Sequence, residues 1–157
     1  MAVELFKSMA RVNIVLINFK GTGPALNATV GGHVQVMVAP VGVVEMHVKA
    51  GLLRALAITS ARPSALAPGL PAVADTVPGY EVVSLIGFLA PAKTPETVIA
   101  VLSREIARVL QQQDIKERFA RSGAEVVGST SEQFGAAMKS EIAKWGKLIK
   151  EARLRAE

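Results

Sequence analysis

The residues able to do chemistry are few and scattered. His33 and His47 stand fourteen positions apart without the HExxH spacing that sets two imidazoles on one helix face, so they do not read as a metal pair. His47 is expected on a helix surface. Ser60, Ser64, Ser84 and Ser103 occur outside any GxSxG elbow, and Ser84, inside an apolar run, reads as a small packing residue rather than a nucleophile. Glu45, Asp75 and Glu81 are separated acids, of which at least two should be solvated. The chain has no cysteine, which excludes disulfides, thiolate nucleophiles and Cys-ligated zinc or iron–sulfur centres. No cofactor motif appears, so the expectation is a protein that is not an enzyme and holds no cofactor.

One local feature carries a binding mechanism. In KGTGPA, Lys20, Gly21, Thr22, Gly23, Pro24 and Ala25 join the end of a strand-like run to a predicted helix start. Glycines let a ligand approach the backbone, and the first N–H groups of a helix attract anions through unmet hydrogen-bonding capacity and the helix dipole. A carboxylate suits such a place. The pattern is neither GxxxxGK[ST] nor GxGxxG, because Leu26 stands where the third glycine would be. On this fragment alone, a tight strand-to-helix turn without a ligand is the simpler reading. Val38, Ala39 and Pro40 end the next run and lead into the next helix on the same edge, where α/β sheets hold ligands.

The elements that must position these loops follow from periodicity. Leu5, Phe6 and Met9 have near-helical spacing, while residues 14–19 (IVLINF) read as a buried strand. Thr22 is expected to cap a short helix with Pro24 in its first turn, and Gly31 and Gly32 to stop it. Val34, Val36 and Val38 make a strand, VGVVEMHVKAG a helix closed by Lys49 and Gly51, and residues 52–59 another strand. This order predicts right-handed βαβ units on a largely parallel sheet. Residues 61–79 carry four prolines and read as a crossover or linker, with one possible turn at 72–76. Residues 80–90 form the strongest strand of the second half. Thr94, Pro95 and Glu96 then start a helix whose apolar face is Val98, Val101, Leu102, Ile106 and Val109. Asp114 with Glu117 suggests a capping box for a shorter helix ended by Gly123. After a brief strand at 124–127, Ser129 or Thr130 starts a long C-terminal helix with Phe134, Met138, Ile142, Trp145 and Ile149 on one stripe.

Composition narrows the class. The 157 residues are 50% hydrophobic and 20% charged, enough for one domain with a core and unlike a disordered tail. The +5 charge is spread along the chain, and aromatics make up 4%, so nucleic-acid binding, which pairs clustered cations with stacking rings, is not expected. The longest apolar stretch, 34–48, is interrupted by Gln35, Glu45 and His47 and falls short of a spanning helix. The start MAVELFKSMARVN, with Glu4 and Lys7, does not read as a signal peptide.

The order of motifs carries further information. ELFKSMARVNIVLINFKGTGPAL, GGHVQVMVAPV, VKAGLLRALAITSARPSALAPGLPAVAD, PGYEVVSLIGFLAPAKTPE and GAEVVGSTSEQFGAAMKSEIAKWGKLIKEA resemble, nearly end to end and in the same order, the Bug-type solute receptors of tripartite tricarboxylate transporters. The resemblance implies a partial periplasmic-binding-protein-like fold, a type II clamshell in which α/β lobes close on a small organic anion. It implies that residues 1–60 are the latter part of the second lobe and 80–157 the C-terminal portion of the first. The signal peptide, the early first-lobe strands with their glycine-rich loop and the Ser/Thr-rich anion loop would then lie outside this sequence.

It also implies a periplasmic location, transporter membrane subunits as partners, and a ligand-binding set of Lys20 to Ala25, Ala39, Pro40 and the stretch Ser84 to Gly87. Phe19 stands where the family typically has tyrosine, Gln35 near an acidic position and Leu85 close to an aromatic one. A chain with strand neighbours missing is expected to self-associate as an exchanged homodimer, since open backbone groups and apolar faces are costly in water. The alternative reading is a non-binding, self-associating scaffold derived from the same fold.

Overall fold

The computed structural model describes residues 1–151. Its helices are α1 (Ala2–Ala10), α2 (Thr22–Val30), α3 (Val41–Lys49), α4 (Glu96–Leu110), α5 (Gln113–Arg121) and α6 (Ser131–Glu151), with a 3-10 turn at Val73–Asp75. Three of them stop by one device. Gly32, Gly51 and Gly123 take φ of 74°, 72° and 77°, and the amide after each glycine reaches back to the carbonyl of Ala28, His47 or Phe119. This is the Schellman arrangement, in which a left-handed residue lets the chain cover its last free carbonyls. α6 opens with a reciprocal cap: Thr130 Oγ1 accepts the Gln133 N–H at 3.2 Å, and Gln133 Oε1 accepts the Thr130 N–H at 3.0 Å.

Three expected caps are absent. Gly21, not Thr22, holds the N-cap of α2, and Pro95, not Thr94, that of α4; neither makes a side-chain cap bond. Asp114 and Glu117 form no capping box on α5, whose N-cap is Gln112. Glu117 instead accepts from Gln113 Nε2 at 3.0 Å, an i,i+4 pair that satisfies its carboxylate along the helix face.

The largely parallel sheet does not form among the described residues. An isolated, parallel β-bridge joins Ile58 and Ala72. A strand is stabilised by the neighbour that takes its N–H and C=O groups, and the apolar runs at 14–19, 34–38 and 80–90 find no ladder here; Val15 is 82% exposed.

The chain divides into two compact units, Met1–Val83 and Ser84–Glu157. In the first, the proline-rich stretch read as a linker folds back on the preceding run. Ile58 N–H donates to Pro71 O and Val73 N–H to Ile58 O, both at 2.9 Å, and the Asp75 carboxylate accepts the Ala72 N–H at 3.0 Å. Ile58 and Ala72 are buried beside this bridge, and Tyr80 is 1% exposed. The Tyr80 ring meets Phe6 edge-on, centroids 6.0 Å apart, and its hydroxyl donates to Ala2 O at 3.2 Å, which ties α1 down. Burial holds the Tyr80 phenol above its ordinary pKa.

In the second unit, Leu148 is the buried residue of α6, while Ile142 and Ile149, placed on the inner stripe by sequence, are exposed. The face is rotated so that Trp145 lies beside it, with its indole N–H donating to Glu141 Oε2 at 2.7 Å. The predicted inner face of α4 is also open, with Val98, Val101, Leu102 and Val109 exposed. Buried apolar residues are confined to Leu26, Ile58, Ala72, Tyr80 and Leu148 among the described residues, a smaller core than the composition suggested.

Candidate functional site

The loop from Lys20 to Ala25 is built by one glycine. Gly21 takes φ 107° and ψ 171°, a conformation open essentially to glycine alone, and its N–H donates to Phe19 O at 2.9 Å. This turn delivers the chain into α2 at Thr22. Pro24 sits in the first turn, where its missing N–H costs nothing. Leu26, buried, anchors the helix, while Lys20, Gly21, Thr22, Gly23 and Pro24 are exposed. A Cβ on Gly23 would meet nothing within 4 Å. The result is an open shoulder of free amides with a lysine at its edge.

What separates this terminus from most others is its charge. α1, α4, α5 and α6 carry Glu4, Glu96, Asp114 and Glu132 in their first turns, whereas α2 and α3 carry no acid there. An acid in the first turn satisfies the helix dipole internally. At α6 this is explicit: the Glu132 carboxylate is held below its ordinary range by backbone N–H and the Thr130 hydroxyl, so the chain supplies its own anion. α2 and α3 leave theirs unmet. α3 begins after Ala39 and Pro40, with Pro40 at the N-cap and no side-chain cap bond. The two loops singled out by sequence thus precede the two acid-free helix starts, a signal readable in the sequence but not used.

Ser84 and Gly87 belong to the second unit. Both are exposed, yet Gly87 has a packing reason to be glycine, since a Cβ there would lie 2.3 Å from Cζ of Phe134. His47 lies in the last turn of α3 with a buried Nδ1 that has no hydrogen-bond partner. No cluster of three or more His, Asp or Glu that could hold a metal occurs among the described residues. Two open depressions, of about 360 and 290 Å³, are lined by Met9, Ala10 and residues 76–78, and by α4 with residues 128–132. Neither includes the α2 or α3 starts, and Glu132 is among the residues that line the second. No helix among the described residues is long and apolar enough to cross a membrane.

Comparison with known proteins adds the family. Residues 1–154 match the tripartite tricarboxylate transporter family receptor, TctC. The chain is 30% identical over 156 residues to the UPF0065 protein in the clcB-clcD intergenic region of Pseudomonas knackmussii, covering 98% of this chain and 92% of that one. It is 33% identical over 149 residues to protein BugT of Bordetella pertussis, covering 94% of this chain and 46% of BugT.

Among solved structures, R. palustris Rpa4515 with adipate aligns at TM-score 0.83 and 31% identity, over 95% of this chain and 50% of that one. The periplasmic binding protein BugD aligns at TM-score 0.74 and 26% identity, over 99% and 53%. The chain thus spans about half the length of BugT and of these solved relatives, and nearly all of the Pseudomonas one. With its course matching periplasmic binding proteins and its sequence matching the receptor family nearly end to end, the chain belongs to the tripartite tricarboxylate transporter receptor family.

Proposed function

We propose that this chain carries carboxylate-contacting loops of an extracytoplasmic solute receptor serving a tripartite tricarboxylate transporter. It acts by binding without covalent change. The observation that carries the reading is the pair of acid-free helix starts, α2 after Gly21 and α3 after Pro40. Peptide N–H groups at such termini hold a carboxylate directly or through water, with Lys20 adding a cation at the rim of the first. The Rpa4515 neighbour, solved with adipate, supports a small organic acid as the ligand class. Residues 1–60 would belong to the second lobe of a clamshell and residues 80–157, with Ser84 and Gly87, to the first, and the transporter's membrane subunits would be the partners.

Calorimetric titration against adipate, other dicarboxylates and aromatic carboxylates tests the reading. Heat of binding to at least one of these acids, lost in Gly23→Asp, is the expected result. A flat response across the panel overturns retained binding, and binding that survives Gly23→Asp places the pocket away from α2.

A further inference from the structure

We draw no further inference here: the strongest candidate, the open depression lined by Ser103 and Arg104 of α4 and by residues 128–132 at the start of α6, rests on a single helix N-terminus, and nothing among the described residues shows what would occupy it.

Discussion

Gly21 and Gly23 lie two residues apart and do different work. Gly21, at φ 107°, is required by the backbone: Gly21→Ala should lower stability by about 1–3 kcal/mol, read as a drop in thermal midpoint. Gly23 has no positive φ and open space around it, so Gly23→Asp should leave the thermal midpoint nearly unchanged while removing anion affinity through charge. Equal effects of the two variants on stability would show that the loop is a turn and nothing more. Tyr80 offers a third test. Its phenol keeps its proton in the folded state at pH values where the unfolded chain, near the ordinary 10.0, gives it up. The stability this confers is complete below that pH and is lost as pH rises toward the raised folded value. Tyr80→Phe should cost about 0.5–1.5 kcal/mol near neutrality, from the lost bond to Ala2 O, and should flatten the alkaline fall. The KGTGPA motif was legible because its conformational demand is local. The burial of Tyr80 was not, because its partners, Phe6 and Ala2, are more than seventy residues away.

Among elements, helices were readable and strands were not, for the same physical reason. A helix satisfies its backbone within itself, so the glycines after α2, α3 and α5 and the Thr130–Gln133 pair mark its ends in sequence. A strand is defined by a neighbour, and the apolar runs at 14–19 and 80–90 look alike whether or not one is present. The inner stripe of α6 was misplaced by part of a turn because Ile142 and Leu148 are equally apolar, and packing alone selects Leu148. Phe134 belongs to the element that does select: it sits against Gly87. Gly87→Ala should destabilise the second unit by about 1–3 kcal/mol through overpacking. Trimming the ring with Phe134→Leu in the same chain should recover part of that loss, a coupling that a double-mutant cycle in urea reads directly. Additivity of the two changes would place the ring elsewhere in solution.

At the scale of the whole molecule, ligand binding is expected to act on the folding equilibrium of the native chain, and its physics identifies it. Binding of a carboxylate at the α2 start stabilises the folded state by mass action, about 2.7 kcal/mol when ligand stands at a hundred times its dissociation constant. Because it rests on a helix terminus and Lys20, this stabilisation weakens with added salt as the field is screened. Thermal midpoints measured with and without adipate, at low and high salt, should therefore show an adipate shift that shrinks as salt rises. Gly23→Asp should erase that shift at both salt concentrations while leaving the midpoint without adipate nearly unchanged. A shift that salt left intact would mean that the anion is held by something other than the helix terminus and Lys20.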